Sequence, residues 1–99
     1  MEKHIEHLKG NGRLETIDGA PFARVQYLID IWEEIIALPG GEKLEGQRDV
    51  RGSVRGPHGS RLENLPDQDL MLFLDDHRRK ILIRIDGVSI IPRGGLTEQ

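Results

Sequence analysis

Glycine punctuates the chain at positions 10, 12, 19, 40, 41, 46, 52, 56, 59, 87, 94 and 95. Short pieces between glycines favour strands joined by turns over long helices. The apolar pattern agrees. Asp69–Leu74 and Lys80–Ile85 are apolar, strand-forming runs, and the residues between them, Asp75-Asp76-His77-Arg78-Arg79, are all polar. That arrangement predicts an antiparallel hairpin, with Ile81, Ile83 and Ile85 on one face and Leu82 and Arg84 on the other. Asp86-Gly87 then turns the chain into a short strand, Val88–Ile91, which Pro92 ends. Upstream, Gly12–Ile17 reads as a strand, Asp18-Gly19 as a tight turn and Asp49–Arg55 as a further, weakly patterned strand. Gly56–Ser60 is a loop, and Leu62–Asp69, with Pro66 inside it, is a connection.

Residues 22–38 admit two readings. On a helical wheel Gln26, Asp30, Glu33 and Glu34 gather in an arc of about 100° and nearly everything else is apolar. Pro21 could open such a helix and Pro39-Gly40-Gly41 could close it. As a strand, Val25, Tyr27, Ile29, Ile31 and Ile35 share one face, which Glu33 interrupts, and Leu28, Trp32 and Ile36 need cover on the other. The β-branched and aromatic content, and the β-like elements on both sides, favour a long strand bulged near Glu33-Glu34. The expected fold is therefore all-β, a small antiparallel barrel or sandwich of about five to seven strands. The alternative is α+β, with one helix at about 21–38 packed on an antiparallel sheet.

A chain of 99 residues fits one domain, 1–99, with mobile ends expected at about 1–8 and 93–99. Hydrophobic content of 36% beside 31% charged residues suits a globular domain rather than a disordered tail. No apolar run approaches the roughly 18–20 residues of a membrane helix, so no membrane partner is expected. With no cysteine there is no thiol nucleophile, disulfide or thiolate-bound metal, which is compatible with a cytoplasmic location. Net charge is −3, and residues 1–49 hold 6 basic and 10 acidic side chains against 8 and 7 in residues 50–99. An acidic domain with four aromatic residues is a poor nucleic-acid binder, and none is expected as a partner.

Within the second half, Arg48, Arg51, Arg55 and Arg61, with His58 nearby, make the chain locally basic. Arginine clamps phosphates bidentately, and Gly52, Gly56 and Gly59 could offer backbone N–H groups beside it. These five side chains are the candidate anion-binding residues. Arg51-Gly52-Ser53-Val54-Arg55 has the Arg-x-x-x-Arg spacing that opens the cyclic-dinucleotide signature of PilZ domains. The second half of that signature, an acidic or amide residue and then x-Ser-x-x-Gly, is missing. Asp86-Gly87-Val88-Ser89-Ile90-Ile91 has the wrong spacing and no closing glycine, so no family is assigned.

His4 and His7 stand three residues apart, a chelating spacing on a helix turn, but they lack a third ligand and lie in an end expected to be mobile. Asp67, Asp69, Asp75 and Asp76 lack the alternating oxygen ligands and distal glutamate of a calcium loop. Ser53, Ser60 and Ser89 lack a nucleophile elbow, and His58 and His77 have no evident partner. Trp32, Tyr27, Phe22 and Phe73 are assigned to core packing. Nothing here argues for an enzyme or a cofactor. The resulting expectation is a non-catalytic interaction or assembly domain that self-associates as a dimer, because several strands are apolar on both faces. The alternative is a β-barrel that takes a small molecule or anion at residues 48–61.

Overall fold

The structure, a computed structural model, describes residues 1–99 except for the side chain of Glu45. Seven strands form, β1 Glu2–Thr16, β2 Pro21–Ala37, β3 Lys43–Arg55, β4 Leu70–Leu74, β5 Arg79–Asp86, β6 Ser89–Pro92 and β7 Thr97–Glu98, with a single 3-10 turn at Pro57–Gly59. Neighbours are antiparallel in the order β1-β2-β3-β6-β5-β4, and β4 pairs back onto β1, so six strands close a barrel. The short β7 extends the β5 edge beside Arg79 and Lys80.

Residues 21–38 take the strand form and not the helix of the alternative reading. β2 is 17 residues long, and its pairing with β3 slips between Glu33 and Ile35, where β3 carries an extra residue. The turn at Asp18-Gly19 has Gly19 at φ +90, a conformation glycine adopts without steric cost. The hairpin of the two apolar runs forms as β4 and β5, with Leu72 opposite Ile81 and Leu70 opposite Ile83. Other strands are longer than their sequence suggested. β3 begins at Lys43 rather than Asp49, and β1 at Glu2 rather than Gly12. Residues 1–8, expected as a mobile end, are the first half of β1, in register with β2 from Glu2 opposite Glu34. Of residues 93–99, expected to be mobile, Thr97 and Glu98 form β7.

Alternation along each strand fills the barrel. Val25, Tyr27, Ile29 and Ile31 of β2 meet Leu8 and Leu14 of β1, Val54 of β3, and the inward leucines and isoleucines of β4 to β6. Leu62 and Leu65 of the connection also pack against this core. Tyr27 stands opposite Gly10, and a side chain at the neighbouring inward glycine, Gly12, would place its Cβ 2.2 Å from the Phe73 carbonyl oxygen. The large ring thus fills the room two small residues leave, a pairing that lets β1 pass close to β4. The Tyr27 hydroxyl is buried without a hydrogen-bond partner among the described residues. Of the other aromatic side chains, Phe22 packs against the core. Phe73 and Trp32 lie on the outward parity of their strands, a correction to their assignment as core residues.

Two departures from a uniform barrel matter for function. First, β2 and β3 run on past Met1, whose carbonyl accepts from the Ile35 N–H at 2.7 Å, so residues 36–44 form a two-stranded arm; the molecule measures 52 × 27 × 23 Å. Second, β3 meets β6 through one bridge, Ser53 opposite Ser89, with the Val54 N–H donating to the Val88 carbonyl. No other β3–β6 register pair is present among the described residues.

Candidate functional site

Register places the outward side chains of β1, β2 and β3 in rows. One row is His4–Trp32–Asp49 and the next is His7–Asp30–Arg51. His4 and His7 would face opposite sides of a regular strand, because their separation is odd. A bulge between His4 and Glu6 adds one residue and returns both imidazoles to the outer face. His4 Nε2 and His7 Nδ1 donate to the same oxygen, Asp30 Oδ1, at 2.8 and 2.7 Å. These two bonds, His7 first, hold the Asp30 carboxyl below its ordinary pKa. The His4 ring is 4.8 Å from that of Trp32, and the Arg51 guanidinium lies 5.6 Å from the Trp32 ring centroid. Arg51 is in turn bonded to Glu2 and Asp49, each at 2.7 Å.

Beyond this cluster the outer face becomes apolar. Leu28, Trp32 and Ile36 share one parity of β2, and Leu44 of β3 stands directly opposite Ile36. Leu28 is 38% exposed, Ile36 43% and Leu44 52%. Ile36 and Leu44 belong to the arm, where no third strand flanks the pair.

At the end of the barrel from which the arm leaves, two ion pairs replace the apolar filling. Glu33 is 7% exposed and accepts from Arg48 Nε at 3.1 Å, and Glu6 accepts from Arg79 Nη1 at 2.9 Å. Beside them, between the free edge of β3 and the tail that carries β7, lies a cavity of about 580 Å³ with Ile31, Val50 and Leu96 among its walls. Its charged lining residues are Glu6, Arg48, Asp49, Arg79 and Glu98, three anions against two cations already paired.

The candidate anion residues are thereby dispersed. Arg48 points inward to Glu33, whereas Arg51 lies on the outer face with Glu2 and Asp49. Arg55 shares that outer parity but donates to the Gly59 carbonyl oxygen at 3.4 Å. His58 lies in the 3-10 turn with φ +60, and the Arg61 guanidinium rests against Gly87 in the β5–β6 turn. No two of these five share a hydrogen-bond partner among the described residues. The Glu33–Arg48 pair and the role of Asp30 escaped the sequence reading. The available signal was Glu33 itself, a carboxylate on the face that carries Val25 to Ile31.

No helix is long and apolar enough to cross a membrane. No protein-family model, curated protein or solved structure matches the chain.

Proposed function

We propose that this domain is a cytoplasmic, non-catalytic assembly module that self-associates as a dimer through the outward face of β2 and the arm. The observation that carries the reading is the pair Ile36 and Leu44, opposite each other and half exposed on a ribbon without a third strand. A two-stranded ribbon is marginally stable alone in water, and a second layer over its apolar face stabilises it. The stripe Leu28–Trp32–Ile36 runs about 27 Å, long enough for an interface of about 800 Å² per partner. The stripe has a cation at one end, Lys9, and the carboxylates Glu2 and Glu34 at the other, so a second copy turned by a two-fold axis sets opposite charges together. The absence of cysteine supports a reducing compartment.

Sedimentation velocity over a concentration series tests the proposal. The parent protein should approach twice the monomer mass, and Ile36→Lys combined with Leu44→Lys should return it to monomer with an unchanged circular dichroism spectrum. A parent that stays monomeric throughout, or a double variant that still dimerises, refutes it.

The cavity at the barrel end favours a second reading, a small-molecule site, since its volume falls in the usual range for such sites. Its excess of carboxylates, with both arginines already paired, suits a neutral ligand with an apolar body better than an anion. A thermal-shift screen in which some neutral compound stabilises the parent but not Val50→Trp would support it.

A further inference from the structure

The fold supplies what the histidine pair lacked in the sequence, a fixed backbone and a third ligand. β1 is paired to β2 on either side of the bulge, and His7 stands directly across from Asp30. One ligand atom from each of His4, His7 and Asp30 lies within 4.8 Å of the others. We propose that His4 Nε2, His7 Nδ1 and a carboxylate oxygen of Asp30 bind a divalent transition-metal ion of the zinc class. At metal–ligand distances of about 2.0–2.1 Å, tetrahedral ligand atoms are about 3.3 Å apart. The His–Asp separations of 2.8 and 2.7 Å therefore open by roughly half an ångström. The histidine nitrogens, within 4.8 Å of each other, close by up to about 1.5 Å, and side-chain torsions supply both shifts.

The donor set selects the ion. Two imidazole nitrogens and one carboxylate suit zinc and its neighbours, whereas calcium and magnesium take six or more ligands that are nearly all oxygen. Three protein ligands leave a fourth position, and the exposure of both imidazoles gives that position to water. Surrounding charge favours a cation. Glu2 and Lys9 of β1, Glu34 of β2, and Asp49 and Arg51 of β3 bring three anions and two cations to this face besides Asp30. Arg51, the nearest cation by register, is engaged by Glu2 and Asp49. The bulge turns His4 outward, against Trp32 and beside Asp30, and re-aiming a side chain is what such bulges do.

Tag-free protein titrated with zinc chloride tests the site, both as the parent and as the Ile36→Lys, Leu44→Lys variant, so that binding is read independently of assembly. Trp32, the single tryptophan, reports through its contact with His4, and imidazole NMR signals report each of the four histidines. The expected result is saturable binding of one equivalent that shifts His4 and His7 but not His58 or His77, with calcium silent. His7→Ala and Asp30→Asn should each weaken zinc at least about tenfold. Asp30→Asn keeps the side-chain shape and covers the case in which His7→Ala fails to fold. Zinc that shifts all four rings alike, or that binds both variants as tightly as the parent, overturns the proposal.

Discussion

β2 carries two environments along one strand. From Val25 to Ile31 its inward residues are at most 3% exposed, while Ile35, on the same face beyond the boundary, is only half-buried. Propensity and hydrophobicity are the same in both halves. The difference is in the neighbours: β1 and β3 both flank the first half and the barrel closes over it, whereas β3 alone accompanies the second. Glu33 marks the boundary, paired to Arg48 where apolar filling gives way to the cavity. Burial here follows closure of the sheet, and an apolar residue beyond the closure becomes a surface for something else.

The sharpest way to break this comparison is to empty equivalent side chains on either side of the boundary. Ile29→Ala, like Ile83→Ala in β5, should cost about 2–4 kcal/mol in chemical denaturation, because both side chains are wholly buried. Ile35→Ala, on the same face beyond the boundary and only half-buried, should cost no more than about 1 kcal/mol. Equal losses at Ile29 and Ile35 would show that β2 packs beyond the boundary as it does within the barrel.

Glycine offers the same contrast on a smaller scale. Gly12→Ala should lose about 1–3 kcal/mol, since its Cβ would collide with the Phe73 carbonyl and backbone cannot swing aside as a side chain does. Gly94→Ala, with nothing within reach, should stay within about 0.5 kcal/mol. Thermal melts of the two variants decide whether the barrel interior is as tight as the register implies.

The boundary itself can be probed. Arg48→Ala leaves the Glu33 carboxylate nearly dry and unpaired and should cost about 1 kcal/mol, reduced by the exposure of Arg48. Glu33→Leu, which continues the apolar face of β2, should be neutral or stabilising. A larger loss for Glu33→Leu than for Arg48→Ala would mean that the ion pair, rather than the avoidance of a lone charge, stabilises the barrel end.

The smallest effect at neutral pH concerns Tyr27. Burial first, and then the nearby Asp76 and Asp75, push its phenol from 10.0 up to about 12. The unfolded chain ionises first as pH rises, so the stability tied to the protonated phenol is fully present below pH 10 and is lost as pH climbs toward 12. Ultraviolet titration of the single tyrosine should show the delayed transition, and ionisation near pH 10 would place the ring in contact with water.

The legible parts of the fold were those in which one short segment carries its own pattern. β4 and β5 are apolar, strand-forming runs, and the four polar residues between them, Asp75 to Arg78, can only turn. The bulge expected in β2 at Glu33-Glu34 lies elsewhere: the extra residue is in β3, and Glu33 keeps the inward parity of Val25 to Ile31. The first half of β1 was not legible either. Glu2 to His7 are charged or polar at almost every position, and their strand character comes from pairing with β2, a partner more than twenty residues away. Asp30 reads as a polar residue on either a helix or a strand, and only register brings it to His7. Likewise Arg48 and Arg51 look like members of one basic stretch until strand parity sends one inward and the other outward, each to its own carboxylate.

The single bridge between β3 and β6 has a consequence for motion. Chain order makes the barrel from two three-stranded meanders, β1–β2–β3 and β4–β5–β6, tied along one side by four register pairs between β1 and β4 and along the other by Ser53 and Ser89 alone. Such a ring has a hinge and a clasp. Amide protons on the free edge of β3 should exchange through a low-energy opening of that clasp, without unfolding either meander, while those of β4 should exchange only on global unfolding. The cavity lies beside the clasp, so each opening widens it, and the room it offers a guest is set by how often the barrel unlatches.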